Sequence, residues 1–162
     1  MKRYFTHYWT NKTWDYFVER MSEDTEKTLR HTAGNMFRDR GISKGDGVYI
    51  ITVKQGQLLL LTRLTVANVC GIEGAARLLG RDPEGLWEAE DHIVAESPAA
   101  IRPTFEVPVP LKITEQLRFQ SYPQSKSLRF VEPGILDQQT LRGVRELDYG
   151  SAQLLDKFLS AE

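Results

Sequence analysis

Apolar positions in the first half of the chain change period twice. Residues Tyr4 to Thr10 are aromatic and β-branched, and read as a first strand. Trp14, Phe17, Val18 and Met21 then recur at i, i+3, i+4 and i+7, which predicts a helix with one apolar stripe, capped by Asn11 or Thr13. Leu29, Ala33, Met36 and Phe37 carry the same period and predict a second helix, stopped at Gly41. Beyond the turn cluster Ser43-Lys44-Gly45-Asp46-Gly47 the pattern becomes that of strands. Val48 to Val53 is one, Lys54-Gln55-Gly56-Gln57 a hairpin connection, and Leu58 to Val69 a long, bent partner.

The second half is more broken. Ile72 to Leu79, closed by Gly80, and Pro83 to about Val94, capped by Asp82, predict two short helices. Pro98 and Pro103 bracket a loop. Phe105, Val107 and Val109 alternate as a strand that Pro108 and Pro110 confine to an edge or a bulge. Leu128 to Val131 reads as a short strand, and Tyr149 to Leu159 as a final helix burying Leu155, Phe158 and Leu159. No repeat, low-complexity tract or linker divides the chain, so residues 1–162 are expected to form one α+β domain.

Composition narrows the function classes. With 41% hydrophobic and 27% charged residues the chain is expected to be globular rather than disordered. Leu58 to Leu61 is its longest apolar run, too short to span a bilayer, and the first nine residues have no apolar h-region. A soluble, cytoplasmic protein is therefore expected. Cys70 stands alone, which excludes an internal disulfide. Net charge is −1, but it is unevenly spread. Six acidic residues and no basic one fall between Asp82 and Glu96. Between Leu117 and Arg145, Arg118, Lys126, Arg129, Arg142 and Arg145 face only Glu132 and Asp137. Such local basic density suits phosphate, though on charge alone two solvated faces of opposite sign are the favoured reading.

Enzyme motifs mostly fail. Gly41-Ile42-Ser43-Lys44-Gly45 matches G-x-S-x-G, but a nucleophile elbow needs a strand before the serine and a helix after it, the reverse of the predicted order. No phosphate-binding P-loop occurs, and no Asp or Glu lies two residues before any Lys. His7, His31 and His92 lack metal-ligand spacing, and Gly71-Ile72-Glu73-Gly74 is too acidic for a loop that clamps phosphates. No cofactor and no metal are expected.

Four stretches, taken in order, carry a resemblance. They are Tyr8-Trp9-Thr10-Asn11 with Trp14 following, Gly34-Asn35-Met36-Phe37, Ile42 to Ile50 with its Gly45-Asp46 entry, and Leu60 to Val69. Together they resemble the PUA-like superfamily, its EVE branch especially, with ASCH and YTH domains as further relatives. Lys12 stands where that family places a proline. The resemblance implies a twisted, mostly antiparallel β-barrel with flanking helices and a pocket that holds a flipped, modified base of DNA or RNA. Carried onto this chain, the pocket would use Trp9, Thr10, Asn11, Trp14 and Asn35.

The residues themselves allow it. An extruded base needs a π-face to stack on and a donor–acceptor group for its edge. Trp9 or Trp14 would supply the face, Asn35 and Thr10 the polar groups, and His31, one helical turn before Asn35, would share the cavity. Each also has a packing role to offer: Trp14 opens an apolar stripe, and Trp87 fits helix packing. Arg129 and Arg142 would hold flanking phosphates, with Lys126 and Arg145 beside them at the pocket mouth. Two rivals remain. One is an ASCH-type hydrolase acting on a modified nucleoside through Lys12, Thr10 and Glu73. The other is a protein-interaction module using the acidic stretch.

Overall fold

The computed structural model describes residues 2–23, 27–120 and 126–161. Strand β1 (Tyr4–Tyr8) leads into helix α1 (Asn11–Met21), then β2 (Thr28–Gly34), β3 (Gly47–Lys54) and β4 (Gln57–Cys70). Helix α2 (Ile72–Leu79) and β5 (Asp91–Ala100) follow. Smaller elements come next: α3 (Leu111–Thr114), β6 (Arg118–Phe119), β7 (Lys126–Ser127), β8 (Phe130–Glu132) and β9 (Ile135–Leu136). Strand β10 (Val144–Leu147) and α4 (Tyr149–Ser160) complete the fold.

Eight strands form one sheet in the order β2-β5-β4-β3-β1-β10-β6-β7, while β8 and β9 pair separately. Among the described residues only β1 and β3 run parallel, from Tyr4 opposite Gly47 to Tyr8 opposite Ile51. Parallel neighbours require a crossover, here the connection that contains α1 and β2. The chain is therefore α+β, a large and mostly antiparallel sheet with four α-helices among the described residues. No helix among the described residues is long and apolar enough to cross a membrane.

Strand β3 explains why the sheet has a core on each face. Seven of its eight residues are buried, so it reads as a continuous apolar run. Val48 and Ile50 join Phe5, Trp9, Trp14, Phe37, Leu64 and Ile93 in one core. Tyr49, Ile51 and Val53 join Leu60, Phe119, Leu147 and Leu155 in the other, under α4. Tyr49 donates to Asp156 at 2.6 Å and to the Ala152 carbonyl at 3.1 Å, fixing α4 to the sheet. Arg63 reaches the same carboxylate at 2.9 Å.

The β3–β4 hairpin turns at Gln55 and Gly56, both with positive φ (52° and 75°), the two-residue turn that matches strand twist. Irregularities between Ile50 and Ile51 and between Val66 and Asn68 bend the long β4, which pairs first with β3 and then with β5.

Four expectations need correction. The segment 29–41 is not a helix but β2 followed by a turn. The register slips between Leu29 and His31 because β5 runs from Ala99 to Val94 over the same stretch, and of the four residues with helical spacing only Leu29 and Phe37 are buried while Met36 is exposed. Nor is 83–94 a helix. Pro83–Gly85 makes a single 3-10 turn, with Asp82 capping it, and Ile93, Val94 and Ala95 are a run buried on both sides of β5. Residues 105–109 form turns rather than a strand, leaving one rung from Val109 N to the Leu58 carbonyl at 2.8 Å. Pro108 and Pro110 have no N–H to extend it. The cap of α1 is Thr10, whose hydroxyl accepts from Thr13 N at 3.2 Å, while Asn11 Oδ1 accepts from Thr52.

The Gly45-Asp46 turn has a structural task. Buried Asp46 accepts from Arg3 N at 3.0 Å and Ser43 N at 2.9 Å, joining the entry of β3 to the entry of β1. Asp46→Ala strands both donors and is expected to cost about 2–4 kcal/mol. Urea denaturation measures it, and an unchanged midpoint would remove Asp46 from this role.

Candidate functional site

A cleft of about 760 Å³ opens between the end of β1, helix α1, strand β2 and the segment 79–89. Its floor is one hydrogen-bonded chain of side chains. Trp9 Nε1 donates to Thr32 Oγ1 at 2.9 Å, and that hydroxyl lies 3.0 Å from His7 Nδ1. An indole N–H only donates, so Thr32 accepts from Trp9, and the same hydroxyl is shared with His7 Nδ1. Burial lowers His7 to about 4, so the ring is neutral at pH 7.

His31 lines the same cleft, and its Nε2 lies 2.8 Å from His92 Nδ1. One proton serves that contact, so the two rings cannot both be charged. Burial first, then the charges of His92 and Arg81, lower His31 to about 4. Burial also lowers His92, whose Nε2 is enclosed without a hydrogen-bond partner. The floor thus offers donors and acceptors but no charge.

The walls are aromatic. Phe17 meets Trp9 edge-on, ring centroids 5.4 Å apart. Nearer the surface, Tyr16 of α1 and Trp87 of the opposite wall meet edge-on at 5.3 Å. Both keep nearly half their surface exposed (47% and 49%), so part of each side chain stays open to a further aromatic partner. Arg20 donates to the Tyr16 hydroxyl at 2.7 Å and stands over its ring. Arg30 and Arg81 add positive charge to the lining, and Glu84 and Glu88 add negative charge.

The outer wall is tied down from β2. Asn35 Oδ1 accepts from Glu90 N at 3.0 Å, and Arg38 holds Asp91 and the Glu90 carbonyl. Gly34 is required beside it: a Cβ there would lie 2.9 Å from Phe37 Cζ and 3.2 Å from His7 Nε2. The Gly34-Asn35 pair is therefore a strand end under close approach, not a weak point in a helix.

Of the residues singled out in the sequence, Trp9, Thr10, His31 and Asn35 border the cleft. Asn11 and Trp14 do not. Asn11 is engaged by Thr52, and Trp14 is core, 2% exposed and against Phe105. None of Lys126, Arg129, Arg142 and Arg145 lines it. Arg129 is paired with Asp137 at 2.9 Å, and Arg142 is an exposed helix-end residue. Sequence reasoning passed over His7, Tyr16, Phe17, Arg20, Arg30, Thr32, Arg81 and Trp87 as site residues. Tyr16 had a readable signal, since it is an aromatic off the apolar stripe of α1.

Fold and site together define an α+β protein with an aromatic cleft over a neutral polar floor. Comparison with protein-family models, curated proteins and solved structures finds no match for the chain.

The histidines give the fold a pH dependence. A free imidazole titrates at 6.5, but folded His7 and His31 bind their protons near 4. Between those values the unfolded chain carries more protons, so stability is full above about pH 6.5 and falls on acidification toward about pH 4. Denaturant titrations between about pH 7.5 and about pH 5 are expected to show this loss, and His31→Gln to reduce it. A flat profile would contradict two buried neutral imidazoles.

Proposed function

We propose that the cleft receives an extruded base of DNA or RNA, a modified base being the sharper form, and that the protein is a nucleic-acid-binding module. The observation that carries this reading is the pairing of exposed Tyr16 and Trp87 faces with the uncharged floor of Trp9, Thr32 and His7. Stacking supplies affinity for any base, about 1–3 kcal/mol each. A floor of fixed donors and acceptors then discriminates between base edges, because a mismatched edge leaves buried groups unpaired. Arg20, Arg30 and Arg81 supply positive charge for flanking phosphates.

The same reading takes the fold as PUA-like. Its support is the approach of β1 to β2 through Thr32, although three strands separate them in the sheet. The curl brings these strands together as a barrel would. The hydrolase reading has less support, since Thr10 borders the cleft but Lys12 and Glu73 do not.

Base and phosphate contacts are expected to fail differently when removed. Trp87→Ala should weaken oligonucleotide binding by about 1–3 kcal/mol and erase preference for a modified base, leaving the salt dependence unchanged. Arg30→Gln should weaken all oligonucleotides alike and reduce the salt slope by about one counterion. Fluorescence titrations of plain and modified strands, DNA and RNA, at two ionic strengths separate the two effects. Wild-type protein that binds no oligonucleotide at low salt would sink the proposal.

A further inference from the structure

Beyond the cleft lies a second concavity of about 420 Å³, at the start of β1 and along β10. Four cationic side chains line it, Arg3, Arg40, Lys126 and Arg145, against the carboxylates of Asp39 and Glu146. Glu146 is already committed, for Arg3 grips it with Nε at 3.0 Å and Nη2 at 2.7 Å. Arg3 also donates to the carbonyls of Gly41 and Arg40, which holds the turn carrying Arg40 against β10.

Arg145 is held just as firmly. Its guanidinium stands over the Phe119 ring, 4.2 Å from the centroid, and donates to the Thr140 carbonyl at 2.8 Å. Burial, and then the charge of Arg40, act against its protonated form. Arg40, Lys126 and Arg145 take part in none of the ion pairs among the described residues. Asp39 is exposed and pairs with none of them. Like charges held together without a counter-ion repel, and a bound anion relieves that repulsion. Four cations against two carboxylates leave a surplus of two positive charges, enough for the single charge of a backbone phosphodiester or the near-double charge of a phosphate monoester. Planar guanidinium forks match its oxygens in pairs, and Lys126 adds a point charge.

We propose that Arg40, Lys126 and Arg145 form a phosphate site. The group comes from a nucleic-acid backbone or from a small phosphorylated molecule, and the chemistry of capture is the same. The backbone source rests on the reading of the cleft given above; the site itself does not. Asn35 borders the cleft and Arg40 the concavity, five residues on, so their Cα atoms are at most about 18 Å apart. A short strand with one base in the cleft can therefore lay a phosphate here.

Inorganic phosphate titrated into the full chain at constant ionic strength, followed by calorimetry, tests the site. Saturable binding is expected, weakened about ten-fold by Arg40→Gln or Lys126→Gln, the worth of one charge-assisted hydrogen bond. Both side chains are exposed, and circular dichroism checks that the variants fold. Trp87→Ala should leave phosphate binding unchanged. No saturable binding, or binding retained in the Arg40→Gln, Lys126→Gln double variant, overturns the site. Competition between phosphate and an oligonucleotide, lost in the double variant, assigns a backbone phosphate. Phosphate binding without competition assigns a small phosphorylated ligand. Should the oligonucleotide experiments fail while phosphate still binds wild type and not the double variant, the base-binding reading falls and the phosphate site stands.

Discussion

The hydroxyl of Thr32 connects two strands that share no backbone hydrogen bond. It receives the Trp9 indole proton and shares a second hydrogen bond with His7, so one oxygen ties the end of β1 to β2. Three strands separate these two in the sheet order, and the contact exists only because the sheet is strongly curled. The curl has an identifiable source in the bent β4, which serves β3 at one end and β5 at the other. Where β2 swings over β1, the space left beneath α1 becomes the cleft. Loss of this oxygen would leave a buried indole N–H and imidazole without partners, each costing about 1–3 kcal/mol. The cleft and the fold are in this sense one structure.

The two faces of the sheet divide the labour. Under α4 the core is closed by Tyr49, whose hydroxyl burial and Asp156 together hold well above its ordinary range, and by the Arg63–Asp156 pair. The other face has α1 instead of a complete cover, and its polar groups are gathered into the cleft floor. Behind that floor, outside the cleft lining, buried His92 is stacked on His31 with ring centroids 5.0 Å apart. Packing alone gives no reason to keep two histidines stacked at such a position, since an apolar pair would avoid the cost.

What could be read from the residues divides along the same physical lines. The β3–β4 hairpin and helix α2 with its Gly80 stop were legible because local chemistry decides them. Gln55-Gly56 turns the chain by itself, and Gly80 adopts φ 66° at no steric cost. Strands β2 and β5 were not, because their partner is distant and their pattern is altered by bulges. His31 and Asn35 were found at the cleft from a mistaken helix, since the pairing of β2 brings the same residues to the same place, whereas Trp9 was read correctly at the end of the first strand. Trp87 was misread because Asp82-Pro83 starts a helix in chemistry, and only the packing of Ile93 to Ala95 shows that it stops after one turn. The basic stretch near the end of the chain was legible as charge but not as geometry. Arg129 spends its charge on Asp137, while Arg145 meets Arg3 and Arg40 from the opposite end of the chain.

Placing the charge away from the floor has a consequence for selectivity. A charged group in the floor would attract any counter-charged ligand, and its Coulomb energy varies slowly with position. Hydrogen bonds to neutral groups fall away within a fraction of an ångström, so a floor of Thr32, His7 and Trp9 discriminates by shape and edge. On the proposed reading, arginines at the rim and in the second concavity, whose fields reach roughly a Debye length, about 8 Å at physiological salt, would gather anionic ligands without choosing among them. Attraction and choice would then be assigned to different residues. The turn between Asn35 and Arg40 joins them, because Asn35 holds the wall of the cleft and Arg40 points its charge to the concavity.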